Sequence, residues 1–186
     1  MQLNQTNYTL INELNYTVST MKKILIISLL TLFTIASCKK NDSCAYTDSN
    51  LTATAAEKAY LQNYITTNSL TAVEHASGVF YTITNPGTGA SPSICSSITV
   101  RYVGTIIPTG SQFDASTSVS GVSFTLGQLI VGWQKVLPLL KVGGSITLYI
   151  PPSLGYGAQN VRDAAQNIVI PGNSYLKFTI DLLNVQ

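Results

Sequence analysis

The chain has 186 residues, room for one domain of ordinary size plus a processed leader. Ten Lys and Arg against eight Asp and Glu leave a net charge of +2, and no basic cluster lies downstream of Lys40. A basic footprint is the first requirement of nucleic-acid binding, so nucleic acid is set aside as a partner. The cysteines are Cys38, Cys44 and Cys95, without a CxxC pair and with His75 as the single histidine. That inventory lacks the ligand spacing of a Cys/His metal site, and neither metal nor cofactor is expected.

From Met21 the sequence runs MKKILIISLLTLFTIASC. Lys22 and Lys23 form a positive start, Ile24 to Ile35 an apolar run, and Ala36-Ser37 a small-residue end before Cys38. This is the anatomy of a secretory signal peptide over 21–37. The apolar run is shorter than the ~20 residues that a spanning helix needs. Ile35-Ala36-Ser37-Cys38 resembles a bacterial lipobox, whose cysteine is acylated and becomes the first mature residue. The resemblance implies export and a lipid anchor at Cys38, on the inner or outer membrane, facing periplasm or cell surface. Residues 1–20 are polar, carry Glu13 as their one charge and precede a complete signal peptide. They are read as a mis-assigned start, with translation beginning at Met21.

Residues 38–50 are polar, lack apolar periodicity and read as a tether from Cys38. Cys44 and Cys95 remain, and an exported compartment permits a disulfide. Whether their Cα atoms come within bridging distance is not a property of the sequence, so the pairing stays open.

Thr54-Ala55-Ala56-Glu57 has the spacing of a capping box, in which hydroxyl and carboxylate satisfy a helix's first free N–H groups. Ala56, Tyr60 and Tyr64, with Leu61 and Ile65, then recur at helical spacing to about Ile65. Asn68 and Ser69 end the run. Segment 51–77 is thus a leading helical segment, a packing or spacing element rather than a dimer interface. His75, among Glu74, Ala76 and Ser77, is read as a solvated histidine.

After Gly78 the pattern turns to strands. Val79 to Thr84 is β-rich and stops at Asn85-Pro86-Gly87, a turn signal. Ile98, Val100 and Tyr102 alternate with Thr99, Arg101 and Val103, as in a half-buried strand. Val122, Phe124 and Leu126 alternate again, as do Ile146, Leu148 and Ile150, and finally Leu176, Phe178, Ile180 and Leu182. One helical stretch, Ile130 to Leu140, places Trp133, Val136, Leu137 and Leu140 on one face. Gly143-Gly144 stops it, and Pro138 removes a donor inside it, which predicts a mild distortion. The fold class is α+β: a twisted antiparallel five-stranded sheet wrapped on one short helix, with a preceding N-terminal helix.

These residues resemble a known family. Val100-Arg-Tyr102-Val-Gly104 followed by Gly110-Ser-Gln-Phe113-Asp114-Ala-Ser116 is similar to the V-x-Y-x-G…G-x-x-F-D-x-S signature of FKBP-type peptidyl-prolyl cis/trans isomerases. Phe124-Thr-Leu126-Gly127-Gln-Leu129-Ile130-Val-Gly132-Trp133 is similar to the family's F-x-L-G…V-I-x-G-W segment. Val142-Gly-Gly, Ile150-Pro, Leu154-Gly-Tyr156-Gly157, Ile170-Pro171 and Leu176-Lys-Phe178 continue in family order. The resemblance covers about 78–186. It implies the FKBP half-barrel and a peptidyl-prolyl isomerase that assists the folding of exported proteins.

By that resemblance the catalytic set is Tyr102, Phe113, Asp114, Ile130, Trp133 and Tyr156. Trp133 forms the floor beneath a proline ring, the Ile130 N–H and the Tyr156 hydroxyl donate to substrate carbonyls, and Asp114 lies at the rim. Leu129, Val122, Ile170 and Phe178 complete the substrate-binding walls. Prolyl-containing polypeptides are the implied partners, and the family's macrolide inhibitors are expected to bind. Three departures qualify the transfer. Val122 stands where well-studied members have an aromatic, which makes one wall shallower. No Arg or Lys lies between Asp114 and Leu126, so hydrogen bonds, from Tyr102 among others, must hold Asp114. The loop Ala158 to Ile168 is longer than in minimal members and is expected to overhang the site, projecting Arg162 and Asp163. Two other readings share these residues: a chaperone that holds proline segments, and an accessory lipoprotein of an envelope machine with little turnover.

Overall fold

Beginning where the capping box predicts a helix, Thr54 adopts extended backbone (φ −67°, ψ 159°) and its Oγ1 accepts from the Glu57 N–H, while the Glu57 carboxylate accepts from the Thr54 N–H. The leading helix then runs Ala55–Thr67. It ends at Asn68, and Ser69 takes a positive φ of 54°. This computed structural model describes residues 44–186; the readings of a mis-assigned start, a signal peptide and an acylated Cys38 lie outside the described residues.

The strands follow in chain order: β1 (Val73–Glu74), β2 (Phe80–Asn85), β3 (Ser97–Ile107), β4 (Gln112–Ala115), β5 (Val122–Thr125), β6 (Ser145–Ile150), β7 (Val161–Arg162), β8 (Ile168–Ile170) and β9 (Tyr175–Val185). The main sheet is antiparallel in the order β1-β2-β6-β9-β3-β4, with β5 also paired to β3. All five expected strands are present. The sheet reaches seven because β1 adds two residues at one edge and because β3 shares its other edge between two partners. Its first half, Ser97–Val100, pairs with β5, and its second half pairs with β4 from Val103 to Thr105.

Alternation sorts the two faces, as a period of two requires. Ile146, Leu148 and Ile150 of β6, and Leu176, Phe178, Ile180 and Leu182 of β9, turn to the concave side. There they enclose Trp133, Val136, Leu137 and Leu140. The expected helix Ile130 to Leu140 is α-helical over Val131–Val136 and continues as a 3₁₀ turn over Leu137–Leu139. Pro138 has no N–H to donate to a carbonyl one turn back, and the tighter turn absorbs that loss.

On the opposite face Leu61 and Ile65 of the leading helix bury against Phe80, Ile107 and Tyr149. The wider stripe expected from Ala56, Tyr60 and Tyr64 is not buried to the same depth. Tyr60 remains 39% exposed and stacks on Tyr175, with ring centroids 4.0 Å apart.

The part of the expected tether that is described, 44–50, has no regular structure yet lies along the domain. Cys44 is disulfide-bonded to Cys95, their Cα atoms 5.6 Å apart, within the usual bridging range. Lys135 Nζ donates to Asp48 Oδ1 at 2.7 Å, and the Ala53 N–H donates to the Ser77 carbonyl at 2.8 Å. Gly127 lies so close beneath the Tyr46 ring that a Cβ there would collide with it. His75 is not solvated as expected: it is half-buried, its Nδ1 lying 2.9 Å from Ser77 Oγ. Burial first, and then the charge of Lys135, lower its pKa below the ordinary 6.5. No helix among the described residues is long and apolar enough to cross a membrane.

Candidate active site

The site is built where β3 changes partners. Tyr102 lies between the β5-paired and β4-paired halves of β3, on the inner side in line with Ile98 and Val100. Ser116, just past β4, fixes its backbone at both ends. The Tyr102 N–H donates to Ser116 Oγ at 3.0 Å, and the Ser116 N–H donates to the Tyr102 carbonyl at 3.0 Å. That clamp gives the serine of the G-x-x-F-D-x-S pattern a physical task. Two residues along β3, Gly104 pairs with Asp114 across the ladder. A Cβ at Gly104 would come within 2.7 Å of the Phe113 ring and 2.8 Å of the Phe178 ring, so only glycine lets both rings lie there.

The rings are arranged edge to face. Trp133, on the first turn of the short helix, meets Phe178 at 5.2 Å and 88°, and Tyr102 at 5.6 Å and 83°. Phe178 in turn meets Phe113 at 5.5 Å and 87°. Such contacts add about 0.5–1.5 kcal/mol each beyond area burial and hold the ring angles. They leave an open hollow of about 140 Å³ lined by Tyr102, Asp114, Phe124, Leu129, Ile130, Trp133, Tyr156 and Phe178. Trp133 is only 4% exposed yet borders this space, and its indole N–H is buried without a partner among the described residues.

The polar groups are few. Tyr102 donates its hydroxyl to Asp114 Oδ2 at 2.6 Å. No ion pair among the described residues includes Asp114. Burial, followed by the Asp114 carboxylate, raises the Tyr102 pKa well above its ordinary 10.0. Tyr156 is raised for the same two reasons in the same order. Both phenols are therefore neutral donors at physiological pH. Ile130 takes extended backbone (φ −59°, ψ 149°) ahead of the helix, and no hydrogen bond among the described residues uses its N–H.

Seven of the ten residues expected in the domain meet at this hollow: Tyr102, Asp114, Leu129, Ile130, Trp133, Tyr156 and Phe178. Three do not border it. Phe113 packs behind, against Phe178 and over Gly104. Ile170, at the end of β8, is 3% exposed and belongs to the core. Val122 lies on β5 opposite Val100, and the wall on that side is Phe124, two residues along the same face. The larger ring reaches the hollow, whereas the valine methyls do not border it. Phe124 was visible as the first residue of the F-x-L-G segment and shares the alternation of Val122.

The loop Ala158 to Ile168 also differs from expectation. It folds into the β7–β8 hairpin. Asp163 and Arg162 remain exposed and also brace that hairpin: the Asn167 N–H donates to Asp163 Oδ1 at 2.8 Å, and Arg162 donates to the Gln166 carbonyl at 2.8 Å.

The family described as FKBP-type peptidyl-prolyl cis-trans isomerase matches residues 89–183. The peptidyl-prolyl isomerase FkpA of Escherichia coli K12 is 38% identical over 112 residues, which are 60% of this chain and 39% of that protein. A probable FkpA of Neisseria meningitidis is 40% identical over 111 residues, 59% of this chain and 39% of that one. The chain thus spans about two fifths of the length of these curated relatives. The crystal structure of Escherichia coli FkpA superposes with a TM-score of 0.59 at 34% identity, covering 71% of this chain and 60% of that one. That of a Pseudomonas syringae peptidyl-prolyl isomerase gives 0.59 at 31% identity, covering 75% of this chain and 98% of that one. With the fold, the ordered motifs and these matches in agreement, the chain belongs to the FKBP-type peptidyl-prolyl cis-trans isomerase family.

Proposed function

We propose that this chain accelerates rotation about X–Pro bonds in exported polypeptides. One observation carries the reading: an aromatic hollow bordered by the Trp133 indole, open to solvent, in which Asp114 is the only carboxylate among the described residues. A reaction that makes and breaks no covalent bond needs no nucleophile and no acid–base pair. Its barrier, about 18–20 kcal/mol, is the resonance energy lost when the amide twists. Uncatalysed, it takes tens to hundreds of seconds.

Resonance places negative charge on the planar amide oxygen and positive character on its nitrogen, and twisting reduces both. The twisted form therefore loses less on leaving water, and a dry aromatic site favours it. An acceleration of about 10⁵ requires roughly 7 kcal/mol of such preference. Trp133 receives the prolyl ring; the Ile130 N–H and the Tyr156 hydroxyl hold the flanking carbonyls. Asp114, with Tyr102 as its donor, faces the polar groups beside the turning bond. Ile168, 48% exposed where β8 leaves the turn of the β7–β8 hairpin, offers apolar surface for client residues beyond the proline.

A prolyl-tetrapeptide isomerisation assay tests this. Turnover is expected in the unaltered chain, with a loss of at least tenfold in Trp133→Ala and a smaller loss in Asp114→Ala. No turnover above the spontaneous rate in the unaltered chain would refute the enzyme reading. The family's macrolides are expected to enter the same hollow and quench or shift Trp133 fluorescence. In the cell the mature chain begins at an acylated Cys38 after removal of the 21–37 signal peptide, and the membrane holds it by that lipid. Mass spectrometry of the native protein checks this: an unmodified Cys38, or peptides from residues 1–20, would contradict it.

A further inference from the structure

The N–H of Ile130 and the carbonyl of Leu129 belong to one peptide group, and in a trans peptide they point in opposite directions. Whatever fixes the Leu129 carbonyl therefore aims the Ile130 N–H. Gln134 does so from the short helix: its side-chain Nε2 donates to the Leu129 carbonyl at 2.6 Å and to the Gly127 carbonyl at 3.2 Å. It is half-buried. The next peptide group is fixed separately, because the Ile130 carbonyl accepts from the Trp133 N–H at 3.0 Å and the Gln134 N–H at 3.3 Å. Of these polar groups only the Ile130 N–H is left without an internal acceptor among the described residues.

We propose that Gln134 is a positioning residue: by holding the Leu129–Ile130 peptide plane it aims the Ile130 N–H into the hollow for a substrate carbonyl. The inference rests on the role given to that N–H under the proposed function. Two effects act together. The side-chain amide removes a rotational freedom of the peptide plane before substrate arrives, so the donor does not have to be ordered on binding. A hydrogen bond to the carbonyl also polarises the N–H at the other end of the same amide, strengthening its donation. The choice of amide matters. A glutamate would set oxygens against two carbonyl oxygens, and a methionine would fill the space without donating.

Nuclear magnetic resonance and kinetics on the purified full chain separate this from a packing role. In the unaltered protein a scalar coupling across the hydrogen bond, from Gln134 Nε2 to the Leu129 carbonyl carbon, is expected. The Ile130 amide proton should move downfield when a proline peptide saturates the site. In Gln134→Met the melting temperature is expected to stay close to that of the unaltered chain. Its kcat/KM should fall about tenfold, the effect of one hydrogen bond, and the Ile130 downfield response should be lost. Gln134→Glu should lose at least as much activity.

Absence of the coupling in the unaltered protein overturns the proposal without recourse to a variant. So does a Gln134→Met enzyme with undiminished kcat/KM and an unchanged Ile130 response. Failure of the function itself looks different: the unaltered chain would then show the coupling but no turnover.

Discussion

Tyr102 couples the two chemistries of the site, presenting a ring to Trp133 and a hydroxyl to Asp114. Its raised pKa has a consequence for stability. A phenol whose folded pKa lies above its unfolded value, about 10, is favoured by folding only while it is protonated. That contribution is complete below pH 10 and is lost as pH rises through the folded value. Tyr149, Tyr156 and Tyr175 are raised as well, burial being the first cause in each, so their contributions decline over the same alkaline range. Urea unfolding is therefore expected to give a stability that these tyrosines leave level from neutral pH up to about pH 10 and that falls above it. Tyr102→Phe should reduce that fall and lower kcat/KM by about tenfold, because Asp114 loses its one side-chain donor among the described residues. An alkaline decline identical in the variant would remove Tyr102 as its source. The seven expected residues that line the hollow were legible because each sits in a motif with a rigid local geometry. The exchange of Val122 for Phe124 was not, since alternation places both on one face and only the ring length decides which borders the hollow.

At the scale of elements, the leading helix was readable to the residue at its start, because a capping box is a local chemical arrangement that needs no tertiary knowledge. What the sequence did not disclose is that Glu57 has a second set of partners. Ser153 donates to its carboxylate from both N–H and hydroxyl, each at 2.9 Å, tying the helix to the segment after β6. Burial acts to raise the Glu57 pKa, yet the hydrogen bonds from Thr54 and Ser153 outweigh it and the pKa lies below 4.5. A carboxylate lowered on folding stabilises fully above its unfolded pKa, and that contribution disappears as pH falls through the folded value. Glu57→Ala is expected to cost about 1–2 kcal/mol at pH 7, and the difference from the unaltered chain should narrow below pH 4. Equal costs at pH 7 and pH 3 in chemical denaturation would show that charge is not involved. The strands β3, β5, β6 and β9 were legible from alternation, and β2 from its β-rich composition ahead of a turn signal. The hairpin of β7 and β8 was not, because its turn is built by Asp163 and Asn167 side chains and lacks the Asn-Gly or Asp-Gly signal of short hairpins.

At the scale of the molecule, the disulfide that sequence left open decides what segment 44–53 does. Cys44 and Cys95 close a loop of 51 residues that includes the leading helix and β2. Cross-linking a loop of that size restricts the unfolded chain and contributes about 2–4 kcal/mol in the chain-entropy account. The bond also holds Tyr46 near Gly127 and Asp48 near Lys135, Gly127 and Lys135 both being close in sequence to Ile130. The exposed Asp48–Lys135 pair contributes little by itself, since such pairs give about 0–1 kcal/mol. Without the covalent link, the contacts of 44–53 have to offset the entropy of ordering ten residues, at about 1–2 kcal/mol each, and they are too few to do so. Reduction, or Cys95→Ser, is therefore expected to lower global stability by about 2–4 kcal/mol. Amide exchange should rise sharply through 44–53 while the strands β6 and β9 keep their relative protection. The two effects have separate causes, so they can fail separately. Unchanged stability on reduction would show that the unfolded loop is already restricted, whereas unchanged exchange in 44–53 would show that Tyr46 and Asp48 hold the segment by themselves. Isomerase activity should fall only modestly in the reduced protein, because Gln134 continues to hold the Leu129 carbonyl from within the helix whether or not Tyr46 covers Gly127.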